Sequence, residues 1–375
     1  MPTSTISALI KPASSLCNLR CRYCFYADVS EHREIASYGI MSPETAHTLI
    51  DRMLESLPET GHVQFTFQGG EPTLAGLDFF RDFCDYAAEK NTRGHEISYA
   101  IQTNGMLLDD AFCAFLAEHN FLVGLSLDGD ELTHDRNRVD AAGKGTHRRL
   151  MQTVARMQRH GVEFNILAVV TESMAKHPTA TFRFFMKNGM DYLQFIPCLR
   201  SLEEDAGTVP PTDAPYVLSA RTYSDFLVTL FHLWRAEIER GHGVSIRLFD
   251  NVMGMYLGQM PEQCGLYGMC HNQLVVEADG SVYPCDFYVL DDYRMGNITR
   301  DSLETIENSE AGKCFAAENP PKNPRCAACR YLSMCAGTCK RYRPFYASVP
   351  DFCPYESFLD RVQGDVAALL RRFRG

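Results

Sequence analysis

Along the first two thirds of the chain, apolar residues recur in two alternating rhythms. Short runs rich in β-branched and aromatic residues lie at 6–11, 63–67, 96–101, 122–127, 162–170 and 192–196. Between them, at 43–57, 76–91, 109–119, 146–160 and 178–188, the apolar positions take helical spacing. The first rhythm is that of strands and the second that of amphipathic helices. Ser42-Pro43-Glu44 starts the first long helix, because a serine hydroxyl accepts an amide hydrogen bond and proline fits the first turn. Repeated strand-then-helix units predict an α/β fold with a largely parallel sheet covered by helices. Their number fits a partial (β/α)6 TIM-like barrel better than a two-lobed nucleotide fold.

The rhythm then breaks. SLEEDAGTVPPTDAP, at 201–215, is Pro-rich, acidic and aperiodic, which predicts a surface loop. A long helical pattern follows at 216–240, and 244–249 reads as a further strand. Beyond 260, cysteine, glycine and proline dominate, and NQLVVEADGSVYPCDF predicts a β-hairpin turned at Asp279-Gly280. The stretch 320–354 has little regular pattern and too few apolar residues for a core of its own, so metal bonds are expected to hold it. A final helix is expected at 355–373. The expected division is a barrel over 1–240 and a cysteine-rich iron-sulfur domain, hairpin and irregular loops, over 241–375.

Composition narrows the classes. With 375 residues the chain can bury a substantial core. A net charge of -11 without a basic tract argues against a nucleic-acid partner. MPTSTISALIK lacks the apolar stretch of a secretory signal, and no run is long enough for a bilayer. The expectation is a cytoplasmic protein with no membrane segment. Fifteen cysteines in such a protein point to metal ligation rather than disulfides.

Cys17, Cys21 and Cys24, spelled CNLRCRYC, can hold three irons of a 4Fe–4S cubane and leave the fourth iron to a non-protein ligand. They directly follow the first strand, where a strand-to-helix loop opens at a barrel mouth. Zinc would want a fourth ligand, and His32 is awkwardly placed for it. Cys264, Cys270, Cys285, Cys326, Cys329, Cys335, Cys339 and Cys353 supply the thiolates of two further cubanes, although such spacing also serves zinc. Cys84 and Cys113 read as buried small hydrophobes, and Cys198 and Cys314 join no set.

Polar clusters end several strands: Gln68-Gly69-Gly70-Glu71, Gln102 to Gly105, and Ser126 with Asp128 and Gly129. Paired glycines let a backbone wrap closely around a ligand, and Glu71 could meet an ammonium group. Converging above a β/α sheet, these clusters predict a ligand site. Asp286, next to Cys285, is placed to take a proton beside an electron acceptor; alternatively it bonds only its own turn.

CNLRCRYC, GGEPT, QTNG, SLDG and the late cysteine array resemble radical S-adenosylmethionine enzymes with the twice-clustered, SPASM-type extension of peptide modifiers. IKPASSLCNLRCRYCFY, FTFQGGEPTLAG, FLVGLSLDG, FNILAVV and VEADGSVYPCDFYVLD resemble, more narrowly, the anaerobic sulfatase-maturating enzymes. The resemblance implies three 4Fe–4S clusters and S-adenosylmethionine as cofactors. By it, Cys17, Cys21 and Cys24 would hold the cluster that chelates S-adenosylmethionine. Gly69, Gly70, Glu71, Ser126 and Asp128 would contact that cofactor, and Tyr26, Gln68 and Asn104 would line the substrate side. Cys264, Cys270, Cys285 and Cys339 would bind the first auxiliary cluster, and Cys326, Cys329, Cys335 and Cys353 the second. Asp286 would be the base.

The implied reaction removes a Cβ hydrogen from cysteine or serine in an unfolded sulfatase segment resembling C/S-x-P-x-R, giving Cα-formylglycine. A flavodoxin- or ferredoxin-type donor would supply the electron. Thioether or carbon-carbon crosslinking of another peptide would use the same clusters, and a zinc-bearing peptide-binding scaffold the same cysteines without catalysis.

Overall fold

Alternation sorts the side chains of the first six strands onto two faces. These strands are β1 (Thr5–Ile10), β2 (His62–Phe67), β3 (Glu96–Thr103), β4 (Leu122–Ser126), β5 (Phe164–Val170) and β6 (Tyr192–Pro197). In β2, Val63, Phe65 and Phe67 are buried while His62, Gln64 and Thr66 are half-buried. Phe67 meets Phe80 and Phe83 of the helix Leu77–Lys90 edge-on, at ring-centroid distances of 5.0 Å. Such aromatic pairs add to area burial and lock the helix over the sheet. The structure, a computed structural model, describes residues 4–58, 60–207, 214 and 216–374. The first long helix starts as its sequence dictates: Ser42 Oγ accepts from the Thr45 N–H at 3.2 Å, with Pro43 in the first turn.

Packing divides the chain into two units. One comprises residues up to Ser126, Arg138–Phe164 and His271–Glu318; the other comprises Leu127–Asn137, Asn165–Cys270 and residues from Asn319 onward. The division expected at residue 240 separates cysteine-poor from cysteine-rich sequence and runs across both units.

Four short strands complete the set: β7 (Ser245–Ile246), β8 (Leu274–Val276), β9 (Ser281–Tyr283) and β10 (Gly296–Asn297). In the first unit the hydrogen-bonded order is β10-β9-β8-β1-β2-β3-β4. β1, β2, β3 and β4 run parallel, with Thr5 opposite His62 and Ile10 opposite Phe67. The expected hairpin forms from β8 and β9, and the Gly280 N–H closes its turn on the Glu277 carbonyl at 2.9 Å. Gly280 has φ of 84°, a conformation that strains any other residue. β8 then pairs in parallel with β1, Ala8 opposite Leu274 and Ile10 opposite Val276. This pairing sets Glu277 and the hairpin turn at the C-terminal end of β1, where the Lys11 N–H donates to the Val276 carbonyl at 2.8 Å.

In the second unit, β5, β6 and β7 are parallel neighbours. The helices Ala220–Glu239 and Pro354–Arg374 pack there through Phe231 and Phe358, 6.1 Å between centroids.

The chain therefore adopts the expected α/β fold, a partial barrel of strand–helix units with a cysteine-rich portion of hairpin and loops. Two local expectations need correction. Leu202–Ala206 is a short helix within the predicted loop, because Ser201 and Glu204 form a reciprocal capping box. The rest of that loop, 208–213 and 215, lies outside the described residues. The strand predicted at 244–249 stops at Ile246, and the helix Arg247–Tyr256 follows. Phe249 and Val252, three positions apart, are both buried, so helical spacing overrides a short alternation. No described helix is long and apolar enough to cross a membrane.

Candidate active site

The cysteine loop leaves β1 and is gripped from the side by the segment after β2. The Gly70 N–H donates to the Ser14 carbonyl at 2.8 Å, and the Glu71 N–H to the Leu16 carbonyl at 2.7 Å. A Cβ on Gly70 would lie 2.1 Å from the Leu16 oxygen, and Gly69 has φ of 139°. The glycine pair thus lets this segment press against the cysteine loop. Glu71 is buried. Its Oε1 accepts from the Thr73 N–H at 3.1 Å, from the Thr73 hydroxyl and from the Thr103 hydroxyl at 2.7 Å; its Oε2 accepts from the Asn104 N–H at 2.8 Å. Burial raises the Glu71 pKa, and these hydrogen bonds oppose the rise.

Asn104 Nδ2 donates to Asn18 Oδ1 at 2.7 Å and reaches Cys17 Sγ at 3.9 Å. Expected on the substrate side, Asn104 touches the cysteine loop. Ser126 Oγ accepts from Gln102 Nε2 at 3.0 Å. In the second unit, Asp128 is buried and its Oδ1 accepts from the Val169 N–H at 3.0 Å.

The thiols sit where bare sulfur anions are disfavoured. Burial pushes Cys17 up to about 11, the Leu19 amide opposes, and Glu71 and Cys24 add to the rise. In the second unit the thiols fall into two electrostatic groups. Cys339 senses Cys264 and Cys270, while Cys335 and Cys353 sense Cys326 and Cys329. Burial leads for Cys335 and Cys339, each pushed up to about 11. Thiols are the donors that iron-sulfur clusters take, and a bound cation would deprotonate them outright; among the described residues no three His, Cys, Asp or Glu side chains stand as a ready site for a single metal ion. Cys285 lies in the first unit, directly before Asp286. All fifteen cysteines are free of disulfides. Cys84, Cys113 and Cys198 are buried and Cys314 is exposed.

The β8–β9 hairpin builds a charged cluster that the sequence reading missed. Asp286 Oδ1 pairs with Lys11 Nζ at 2.5 Å, and Asp286 Oδ2 accepts from Gln68 Nε2 at 2.7 Å. Lys11 is fully buried, and its ammonium lies 3.8 Å from the centre of the Tyr26 ring. The Tyr26 hydroxyl donates to Glu277 Oε1, which also accepts from Arg33 at 2.6 Å. Burial, reinforced by Glu277, holds the Tyr26 pKa well above the ordinary phenol value. Gln68, predicted from sequence, therefore bonds Asp286 directly, and Tyr26, also predicted, is joined to it through Lys11, which was not. A lysine closing an apolar strand was the available signal for Lys11.

Residues 12–183 match the model of the Radical SAM superfamily, and residues 264–330 that of an iron-sulfur cluster-binding domain. The cysteine-type anaerobic sulfatase-maturating enzyme of Clostridium novyi (strain NT) is 41% identical over 90% of this chain and 88% of its own length. The chain belongs to the anaerobic sulfatase-maturating enzymes. It is accordingly a radical S-adenosylmethionine oxidoreductase. The serine-type enzyme of Bacteroides thetaiotaomicron is 32% identical over 89% of this chain and 82% of its own length. The structure described as native anSMEcpe with bound AdoMet and Cp18Cys peptide matches with a TM-score of 0.89 and 36% identity, covering 99% of this chain and 100% of that one. SuiB of Streptococcus suis, at 16% identity and a TM-score of 0.62, shares the fold.

In this maturase the loop bearing Cys264 and Cys270 is also gripped tightly. Gly268 has φ of 69°, and an added Cβ would stand 2.2 Å from both the Cβ and the carbonyl oxygen of Ala336. Gly268→Ala forces this loop off the segment that bears Cys335 and Cys339, at an overpacking cost of about 1–3 kcal/mol. The expected result is a purified protein that carries less iron than the unaltered chain, because residues 264–330 match an iron-sulfur cluster-binding domain. Full iron content in anaerobically prepared Gly268→Ala would contradict this.

Proposed function

We propose that this maturase oxidises a cysteine of an unfolded sulfatase polypeptide to Cα-formylglycine. The 41% identity to a cysteine-type enzyme, against 32% to a serine-type one, carries the choice of cysteine. In this reading Cys17, Cys21 and Cys24 hold the S-adenosylmethionine cluster. Cys264, Cys270, Cys285 and Cys339 hold one auxiliary cluster, and Cys326, Cys329, Cys335 and Cys353 the other. When bound, these cofactors supply a 5′-deoxyadenosyl radical for the Cβ hydrogen and an exit for one electron.

The chain's own residues do the rest. Lys11 and Gln68 each hold one oxygen of Asp286, and both oxygens keep a lone pair for an incoming proton. Asp286 takes the proton of the substrate thiol as the substrate loses its hydrogen atom and electron, which leaves a thioaldehyde. Water then releases sulfide and forms the aldehyde. Tyr26 donates its own proton to Glu277, so its oxygen presents a lone pair to the substrate. Gln68, with its amino group on Asp286, keeps its carbonyl as an acceptor. Gly69, Gly70, Glu71 and Asn104 fix the cysteine loop; Glu71 Oε2 has a lone pair left for the methionine ammonium, while Ser126 and Asp128 serve the cofactor from their strand ends. A flavodoxin- or ferredoxin-type protein in the cytoplasm supplies the reducing electron.

The test is an anaerobic incubation with reductant, S-adenosylmethionine and paired sulfatase peptides carrying cysteine or serine in a C/S-x-P-x-R context. Mass spectrometry is expected to show the aldehyde forming faster from the cysteine peptide. A crosslinked product without aldehyde would reassign the reaction.

A further inference from the structure

The cysteine loop carries charge of one sign. Residues 17–24 hold Arg20 and Arg22 and no acid, and both arginines are exposed. Arg20 directs its guanidinium to neutral partners, donating to the Cys17 carbonyl at 2.8 Å and the Leu19 carbonyl at 2.7 Å.

A second basic segment is pinned to this loop within the same unit. Leu19 forms an antiparallel bridge with Asp140, and the Arg20 N–H donates to the Val139 carbonyl at 2.7 Å. Arg138 is buried, its guanidinium 5.5 Å from the centre of the Tyr23 ring. The chain then reverses: Val139 bridges Gly145, and the Asp140 side chain accepts from the amides of Ala142 and Lys144 at 2.9 Å each. Asp140, the one acid between Arg138 and Arg149, thus closes a turn. That turn leads through Thr146, whose hydroxyl donates to the Arg138 carbonyl at 2.9 Å, into the helix His147–His160. Lys144, Arg148 and Arg149 are exposed. Among the described residues no carboxylate pairs with Arg20, Arg22, Lys144, Arg148 or Arg149.

Stability does not account for these charges. Arg148 and Arg149 stand in the first turn of a helix that holds no acid, where the aligned amides disfavour cations. Further along the same helix, Arg156 and Arg159 both meet Asp110. The chain around them is acidic, with a net charge of -11. An acidic visitor is repelled by such a protein as a whole and drawn to a local basic face.

We propose that this face, made by Arg20, Arg22, Lys144, Arg148 and Arg149, docks an acidic ferredoxin-type protein that delivers the electron to the cluster on Cys17, Cys21 and Cys24. The inference rests on the reading of those cysteines given under Proposed function. The three cysteines are half-buried rather than sealed in the core. A carrier seated on the loop that bears them brings its own redox centre close to the acceptor. Plant-type ferredoxins lie toward the reducing end of iron-sulfur carriers, as this donor must. The step is outer-sphere: the carrier is oxidised by one electron, the cluster is reduced by one, and no atom is exchanged. Charge pairing of this kind raises the encounter rate and sets orientation more than it tightens the complex.

The double variant Arg148→Glu with Arg149→Glu reverses exposed charge and leaves the cysteine loop and its bonds to Val139 and Asp140 in place. The intact, cluster-bearing chain is given S-adenosylmethionine and either a limiting amount of reduced, acidic plant-type ferredoxin or reduced methyl viologen. The viologen is a small cation that needs no basic face. Driven by ferredoxin, 5′-deoxyadenosine formation in the variant is expected to fall at least about tenfold. Driven by viologen, it is expected to match or exceed that of the unaltered chain. For the unaltered chain, raising the ionic strength from about 0.01 M to about 0.1 M shortens the screening length from about 30 Å to about 10 Å, and the ferredoxin-driven rate alone should fall. An undiminished ferredoxin-driven rate in the variant overturns the docking face. If the variant is slow with both reductants, salt decides, and a ferredoxin-driven rate indifferent to salt overturns it equally. An unaltered chain that yields no 5′-deoxyadenosine even with viologen defeats the reading of the cysteines, and the docking face with it.

Discussion

Asp286→Asn is expected to cleave S-adenosylmethionine at close to the rate of the unaltered enzyme while forming formylglycine at least about a hundredfold more slowly. The substitution keeps the shape of the side chain. Asn Oδ1 can still accept from Lys11, and a flip of the Gln68 amide lets its carbonyl meet the new Nδ2. What is lost is the carboxylate proposed to receive the thiol proton, and what remains is a buried Lys11 without its counter-charge. Breaking a buried pair costs on the order of 3–5 kcal/mol, against a total stability of about 5–15 kcal/mol for a typical domain. The variant should therefore be folded but melt earlier. Nothing in the change touches Cys17, Cys21, Cys24 or the backbone bonds that hold their loop. The measurement is the ratio of 5′-deoxyadenosine to formylglycine in one reaction. A ratio equal to that of the unaltered enzyme would remove Asp286 from the role of proton acceptor.

Gly70→Ala is expected to abolish S-adenosylmethionine cleavage outright. An added Cβ would meet the Leu16 oxygen at 2.1 Å and the Leu16 and Ser15 carbonyl carbons at 2.7 Å. These are backbone atoms, so no rotamer change relieves the clash. The two segments must part, breaking the bonds from Gly70 to Ser14 and from Glu71 to Leu16, each worth about 1 kcal/mol. Overpacking adds about 1–3 kcal/mol. The sum is within reach of a local opening and short of global unfolding. The cysteine loop gives way while the sheet stays. Iron analysis should show the loss of about four irons, one cubane, with the auxiliary clusters retained. Cleavage of S-adenosylmethionine by Gly70→Ala at an undiminished rate would show that the close approach is dispensable.

The parts of this fold that the sequence revealed are those set by local period. Val63, Phe65 and Phe67 alternate, Ser42-Pro43 caps, Asp279-Gly280 turns, and each does so in the structure. Cys17, Cys21 and Cys24 lie within eight positions, so their proximity needed no tertiary information. Direction was harder to read. Glu71 and Asn104 were picked out as site residues, and the structure adds that they bond Thr73, Thr103, Asn18 and Cys17 around the cysteine loop. Lys11, Arg33 and Glu277 escaped altogether. A buried charge is recognised by its partner, and the partners of Lys11 and Arg33 lie more than two hundred positions away. The helix Leu202–Ala206 was hidden for the opposite reason: its capping box was in plain view, but the prolines that follow marked the whole stretch as loop.

The β8–β9 hairpin extends a sheet that begins with the fifth residue, and Lys11 meets Asp286 across 275 positions. On a translating ribosome, the cysteine loop is synthesised long before Asp286. Contacts so distant form late, since the chain entropy lost in bringing their ends together precedes any reward. Until then β1 presents an open edge, the kind of edge on which nascent chains aggregate. The enzyme is therefore at its most vulnerable in the interval between synthesis of its oxygen-sensitive end and arrival of the hairpin, and slow elongation through the middle of the message should lower its soluble yield.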